Sequence, residues 1–444
     1  MSPLLRTSAV FVPGKLPAHT YNPRDDYALE QSLNDYIEEA GSILTLAGPT
    51  KTGKTVLLRN VLQDPVWIDG QGIGSVNELW ARIGDELGVY PNEEALEDTS
   101  LTGSAEGSVE GGVSFLRARG TVGVQSTSGS GIRVSADRSI AVVARDALIE
   151  SARPLVIDDF HFVDQSTQRQ IVRALKPLVL AGIAIIFVSI SHRVREVVSA
   201  EPDMTGRVKT LTVQFWSESD LLFIAREGFR LLGVVDEDEL LAKRLAKESH
   251  GSPHLMQQFC RELCKANGIR ETTESSVVLA APESWRSFFL AQIEDASKNW
   301  ATRLLRGPQE RGSIRTKYET HRGFALDGYG LALAAISSTG PKLDITKDEI
   351  REAISDMVSG QGPANAQTTN VLKNMSRIAS ARLTDNLPSA EELEHIGANT
   401  DVQPVIDFID DGPSSSLHIA DPFFAFYLAW GLDELLYGFD QLDG

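Results

Sequence analysis

"LTLAGPTKTGKTVLLRN", residues 44–60, sets an apolar run of β character against a glycine-bounded loop, then a helix-like stretch that opens on Lys54 and Thr55. The loop fits the spacing GxxxxGK[ST] at Gly48, Gly53, Lys54 and Thr55. Glycines let the backbone turn its amides toward phosphate oxygens, and the following helix presents its positive end. Lys54 can reach β and γ phosphates, and Thr55 can ligate Mg²⁺. So short a pattern arises by chance; the strand before it and the helix after it are what the mechanism requires. Nucleotide contacts are expected along the whole loop, from Gly48, Pro49, Thr50, Lys51, Thr52 and Gly53 to Lys54, Thr55 and Val56.

Such a pocket also needs a carboxylate at the end of a buried strand, and "PLVIDDF" (154–160) supplies one. Asp158 is the expected Mg²⁺ partner through water, and Asp159 is placed to orient or deprotonate the attacking water. Glu is the more familiar base at the second position, so Asp there leaves the hydrolysis rate open. Roughly 100 residues separate Lys54 from Asp158, with a further strand, "PVWID" (65–69), between them in the chain. That extra strand between phosphate loop and metal carboxylate separates additional-strand ATPases from GTPase-like and kinase-like proteins; ATP is favoured, and no NKxD-like guanine-reading sequence occurs. His161 in "DDFHF" reads as an accessory hydrogen-bonding group, with no metal constellation around it.

The 444 residues exceed one ordinary core, so two or three domains are expected. A net charge of -19, from 42 basic and 61 acidic residues, argues against bulk nucleic-acid coating unless positive charge is concentrated locally. The two cysteines, Cys260 and Cys264, are four apart in "FCRELC", a helical spacing that puts both on one face and reads as buried thiols in a reducing compartment. The longest apolar stretch, "LVLAGIAIIFV" (178–188), is broken by Gly182 and falls short of the ~20 residues that span a bilayer. The first residues carry neither a charged n-region nor a sustained apolar run, so a cytoplasmic protein is the expectation.

Between 43 and 215 short apolar runs alternate with amphipathic stretches, which predicts a parallel α/β sheet. Strands are expected at 43–47, 65–69, 154–160, 183–190 and 211–215, with helices at 54–63, 75–88, 138–151 and 166–180. Residues 103–136, rich in Gly, Ser and Val with partial alternation at Val113, Phe115, Arg117 and Arg119, read as two or three inserted antiparallel strands or as a low-complexity loop. Three helical patterns after 216 each begin at a capping residue and end at or near glycine. A basic stretch (298–322) precedes helical patterns near 325–338, 346–358 and 367–382, and then "VIDFI" and "SLHIA" flank a turn, the order of a winged helix.

The layout therefore resembles that of the AAA+-related STAND and archaeal-type ATPases, on the strength of "GPTKTGKT", "VIDDF", "GSPHL" (251–255) and "HIADPFFAFYLAW" (418–430). The resemblance implies an α/β P-loop NTPase with a five-stranded parallel sheet of the additional-strand type, a β-rich insertion, an α-helical lid and a C-terminal winged helix. The expected boundaries are 1–216 for the ATPase core, 217–297 for the lid, 298–324 for a basic connector and 325–444 for the winged helix. It further implies that Pro253 approaches the base or ribose, and that Tyr21 and Arg24 of "YNPRDD" pack on adenine. Ser189, Ser191 and Arg193 compete as γ-phosphate sensors in "SISHR", and Arg207 stands where oligomeric relatives carry an arginine for a neighbour's phosphate. Phe423, Phe424, Phe426 and Tyr427 read as core.

The implied function is a nucleotide-driven switch, in which ATP and Mg²⁺ hold lid and winged helix in one arrangement and exchange or hydrolysis releases a surface. It would control self-assembly into a homo-oligomer or a separate effector protein, with bacterial antiphage defence as an analogous setting. The alternatives are an ATP-dependent DNA-binding or loading factor similar to origin-recognition ATPases, and a binding module inert to hydrolysis. For nucleic acid, residues 298–322 hold seven basic residues (Lys298, Arg303, Arg306, Arg311, Arg315, Lys317, Arg322) against Glu310 and Glu319. Residues 367–382 add Lys373, Arg377 and Arg382, but the wing "DFIDDG" is acidic where duplex binders carry Lys or Arg, so DNA or RNA contact is not the favoured reading.

Overall fold

The computed structural model describes residues 4–90, 92–97, 122–125, 132–190, 206–309, 315–381 and 404–438. The chain divides into two compact units, Ser32–Leu46 with Val61–Leu211, and Met1–Gln31 with Ala47–Asn60 and Thr212–Gly444.

The first of these units holds the sheet. Its strands are β1 (Ile43–Ala47), β2 (Val66–Asp69), β6 (Leu155–Asp158), β7 (Ile185–Ser189) and β8 (Val208–Thr212), in the order β2-β6-β7-β1-β8. β2, β6 and β7 pair in parallel register, Val66 with Leu155 and Leu155 with Ile185. Burial explains the order. β1 and β7 are buried at every position, as continuous apolar runs must be when both faces are covered, whereas β8 on one edge is mostly solvent-facing.

Two expectations are corrected here. The strand that lies beside β1 and separates it from the carboxylate strand is β7; "PVWID" forms β2 at the far edge, beyond β6. The fifth strand falls at 208–212 rather than 211–215, because Ile43 N donates to Arg207 O and Val213 N to Ala47 O, which sets the register three residues earlier.

Helices α4 (Val76–Leu87), α5 (Ile140–Ser151) and α6 (Gln165–Leu180) cover the sheet with Leu79, Trp80, Ile83, Leu148, Ile171 and Leu175. A helix absent from the sequence reading, α2 (Leu29–Glu39), follows the short α1 (Thr7–Val10). Its apolar spacing was legible at Leu29, Leu33 and Tyr36, and the Tyr36 hydroxyl, buried, donates to Ser42 O or Ile185 O (both 2.7 Å) and accepts from Ile185 N at 2.9 Å.

The insertion is a three-stranded antiparallel sheet of β3 (Asn92–Glu97), β4 (Val122–Gln125) and β5 (Ile132–Asp137), in the order β3-β5-β4. It begins earlier than residue 103, and Val113, Phe115, Arg117 and Arg119 lie outside the described residues.

In the other unit, α3 (Lys54–Val61) follows the glycine-bounded loop. The lid comprises α7 (Glu218–Leu232), α8 (Leu240–Glu248), α9 (Pro253–Ala266) and α10 (Trp285–Leu290), with a short parallel pair of β9 (Val234–Val235) and β10 (Val277–Val278). Ser217 starts α7 with a reciprocal cap to Asp220 and Gly233 ends it in the left-handed region, as the capping pattern predicts. Cys260 and Cys264 are both fully buried on α9; burial pushes both thiols up, that of Cys264 to about 12.

α12 (Gly328–Ser338), β13 (Asp344–Thr346), α13 (Lys347–Met357), α14 (Asn365–Ser380), β14 (Ile406–Ile409) and β15 (Ser416–Ile419) form a winged helix, with strand order β13-β15-β14. Regular elements occupy described parts of the stretch read as a connector. α11 (Asp295–Arg306) puts Ala301 and Leu304 into the winged-helix core, and β11 (Lys317–Glu319) pairs with β12 (Ala325–Asp327). α15 (Pro422–Trp430) is apolar on all sides because two cores share it. Phe424, Tyr427 and Leu428 face the winged helix; Phe423 and Phe426 pack with the lid. The short α16 (Leu432–Tyr437) follows.

Candidate nucleotide site

The loop after β1 has the shape of a phosphate cradle. A Cβ on Gly48 would lie 2.2 Å from the carbonyl oxygen of Val213, so only glycine passes there, and Gly53 holds φ at 93°, which favours glycine. The Lys54 ammonium donates to Gly48 O at 2.9 Å and Pro49 O at 2.6 Å. The Thr52 hydroxyl donates to Pro49 O at 2.9 Å, and Thr52 itself is buried. Leu57 and Leu58 anchor α3 in the interior, Val56 is half-buried and Thr55 is solvent-facing on the first turn. Lys51 is left-handed at φ 58°, a conformation that costs a side-chain-bearing residue about 1 kcal/mol or more.

Trp216 is the residue that sequence reasoning missed; its only signal was an aromatic just past the fifth strand. Its indole Nε1 donates to Thr52 O at 2.9 Å and its backbone N donates to Gly251 O at 3.0 Å, tying the loop to the lid's GSP element. Gly251 (φ 71°) admits no side chain, since its Cβ would sit 2.9 Å from that of Phe215. Pro253 is the first residue of α9, behind its cap Ser252, the position where proline costs no hydrogen bond.

Tyr21 donates its hydroxyl to Glu30 at 2.6 Å; burial, then Glu30, push its pKa up, with Asn60 of α3 acting the other way. Arg24 is 4% exposed and donates to Asp220 (3.3 Å), Gln214 O (3.0 Å) and Phe215 O (3.2 Å), with its guanidinium over the rings of Tyr27 and Trp216. It clamps the N-terminal segment to the turn after β8, and its donors are spent on the chain itself.

In the sheet unit, Asp158 ends β6 and accepts from Asp159 N at 3.0 Å, while Asp159 is left-handed at φ 51°. Gly70 N donates to Asp158 O at 2.7 Å, and a Cβ on Gly70 would meet the carbonyl oxygens of Asp159 and Asp158 at 2.7 and 2.8 Å. The exit of β2 therefore passes against the backbone of the acid pair. Phe160 stacks on Phe187 at 4.1 Å, and Gln168 Nε2 donates to the carbonyls of Phe160 and Val163, so the segment after the acids is pinned from below. The His161 ring stands 4.3 Å from that of Phe162. Ser189 is buried and donates to Ile190 O; Ser191 and Arg193 lie outside the described residues. Arg207, half-buried, contributes its carbonyl to the pairing of β8 with β1.

The loop by itself suits a phosphate: it excludes side chains where phosphate must approach, and the exposed Thr55 hydroxyl on the first turn of α3 is an oxygen ligand of the kind taken by an ion held largely by phosphate and water. Among the described residues there is no group of three or more His, Cys, Asp and Glu able to hold a metal by itself. No helix among them is long and apolar enough to cross a membrane.

The basic stretches are partly neutralised. Arg315 pairs with Asp327 at 3.1 Å, Arg322 with Asp433 at 3.7 Å, and Lys373 of α14 with Asp410 of the wing at 2.5 Å. Arg303 is 7% exposed, and burial pulls its pKa down. Arg311 and Arg382 lie outside the described residues.

The sheet order and the loop define a P-loop NTPase fold of the additional-strand type, in a chain that also carries a helical lid and a winged helix. Neither a family model nor a curated protein matches the chain. Among solved structures it is similar to Cdc6p from Pyrobaculum aerophilum (13% identity, 98% of this chain and 100% of that one, TM-score 0.40). It is also similar to the Aeropyrum pernix ORC2 protein in ADPNP-ADP complexes (14%, 98% of each chain, TM-score 0.42). A RuvB variant from Thermotoga maritima covers less (13%, 84% of this chain and 94% of that one, TM-score 0.34). At these scores the likenesses carry no weight for function, which rests on the site.

Proposed function

We propose that the chain is an ATP-binding, Mg²⁺-dependent ATPase of the AAA+ and STAND type that works as a molecular switch. The observation that carries the reading is the cradle itself: a Gly48 with no room for a side chain, a left-handed Gly53 and a lysine at the head of the helix that follows. In this reading the loop amides and Lys54 bind the polyphosphate, Thr55 and Asp158 serve Mg²⁺, and Asp159 orients water. Mg²⁺, when bound, neutralises charge developing on the phosphates. Tyr21 and Pro253 serve the base side, Ser189, Ser191 or Arg193 the γ-phosphate, and Arg207 a neighbouring subunit's nucleotide. Because Trp216 ties the loop to the lid, nucleotide state is coupled to the lid and thence to self-assembly or control of an effector. A role in antiphage defence is the setting such a switch suits.

Isothermal titration of the intact chain with ATP and MgCl₂, alongside phosphate release, tests this directly. Micromolar uptake with slow turnover is expected, and the absence of any uptake by a folded sample ends the reading. A second reading, an ATPase that loads on DNA, is favoured by one feature: the first turns of α14 expose Asn365, Gln367 and Asn370, neutral amides of the kind that read base edges. The ion-paired lysine and the acidic wing count against it. A steep fall in duplex affinity between low and physiological salt would support it.

A further inference from the structure

Lys51 occupies the fourth position of GPTKTGKT, in the left-handed region at φ 58°, where glycine would be unstrained. Its ammonium does not reach into the loop. It lies 3.4 Å from the centroid of the Phe423 ring and 3.8 Å from Asp421 Oδ1, at the start of α15 in the winged-helix domain. Asp421 is also the cap of that helix, accepting from Phe423 N at 2.9 Å. Phe423 is edge-on to His254 of α9 at 5.1 Å, and burial, then Lys51 and Arg261, hold that imidazole near a pKa of about 4, so no second cation competes for the ring at neutral pH. The phosphate loop thus sets a strained lysine on an aromatic face and a carboxylate of another domain, and a cation–π contact of this kind is readily exchanged for a stronger anion.

We propose that Lys51 is an exchangeable phosphate-loop cation: the winged helix holds it through Phe423 and Asp421, and it transfers to the polyphosphate when nucleotide enters, releasing the first turn of α15. This rests on the nucleotide reading above and adds the residue that transmits occupancy to the winged helix. Binding and release are then reciprocal, so whatever weakens the docked state strengthens nucleotide binding.

The test is calorimetry of the full chain with a non-hydrolysable ATP analogue and Mg²⁺, with hydrogen exchange at the α15 amides as a second readout. Phe423→Leu keeps an apolar side chain against the lid and removes the π face; affinity should rise about three- to tenfold. Asp421→Asn keeps a capping oxygen and removes the charge; a smaller rise is expected. Lys51→Gly should bind more weakly, and in that background Phe423→Leu should give no rise. Analogue added to the wild-type chain should speed exchange in the first turn of α15 and leave α12 unchanged. Phe423→Leu and Asp421→Asn binding no more tightly than wild type, a rise that persists in Lys51→Gly, or an α15 that stays protected each overturns the exchange. No uptake by the wild-type chain overturns the site itself, which separates the two failures.

Discussion

The indole Nε1 of Trp216 donates to the carbonyl oxygen of Thr52 at 2.9 Å, so an aromatic from the start of the lid holds the phosphate loop from outside. Phenylalanine at 216 keeps the ring and deletes the donor. A net loss near 1 kcal/mol in ordering the loop is expected, equivalent to roughly fivefold weaker ATP analogue binding, with little change in melting temperature. Unchanged affinity in Trp216→Phe would show that the loop keeps its shape without this tie.

Gly48 makes a sterically sharper prediction. The methyl of Gly48→Ala would sit 2.2 Å from Val213 O, a backbone atom that cannot swing away. About 1–3 kcal/mol of destabilisation and loss of nucleotide uptake are expected. The matched control is Gly74→Ala, where the nearest heavy atom is Glu78 Oε2 at 3.6 Å; it should stay within about 0.5 kcal/mol in urea unfolding.

Lys54 and Asp159 should separate binding from turnover. Lys54→Ala is expected to cut nucleotide affinity at least about tenfold, as the loss of a charge-assisted phosphate contact implies. Asp159→Asn is sterically mild, because asparagine tolerates the left-handed backbone found there, so affinity should persist while phosphate release falls by about tenfold or more. Equal hydrolysis in wild type and Asp159→Asn would remove that residue from the mechanism.

The lid should weaken in mild acid. His250 Nε2 is buried and finds no hydrogen-bond partner among the described residues, although the residue as a whole is only half-buried, and burial lowers its pKa to about 4. The unfolded chain binds a proton near pH 6.5 that the folded chain refuses. Stability is therefore full above about 6.5 and is lost as pH falls toward about 4, by up to about 3 kcal/mol from this group. His254 acts with the same sign. His250→Asn, which suits the left-handed φ of 43°, should flatten the slope of stability against pH in that window; an unaltered slope would assign the acid sensitivity elsewhere.

Assembly is testable by mass. Light scattering with and without ATP and Mg²⁺ should show a nucleotide-dependent increase if the switch works through self-association. If the complex forms, Arg207→Ala should abolish the concentration dependence of hydrolysis.

The local features of the site were legible because they are written in contiguous residues. GPTKTGKT, the strand before it, the acid pair ending an apolar run and the caps at Ser217, Ser252 and Thr346 are each settled by residues a few positions apart. The continuous apolar runs of β1 and β7 likewise announced strands covered on both faces. The helix at 29–39 is weakly marked in the sequence: Leu29, Leu33 and Tyr36 carry its period, but polar residues fill the remaining turns.

What the sequence by itself determined is therefore the class of fold and the conformation of its loop, because glycine freedom, helix capping and apolar periodicity act over a few residues. Only tertiary structure decided which strand lies beside β1, because hydrogen-bond pairing joins β7 to β1 across more than 100 residues and leaves no local trace. The same holds for Arg24, Trp216 and Lys51. Their side chains are long enough to choose among distant partners, and Gln214, Thr52 and Phe423 became those partners through packing that no stretch of the chain encodes alone.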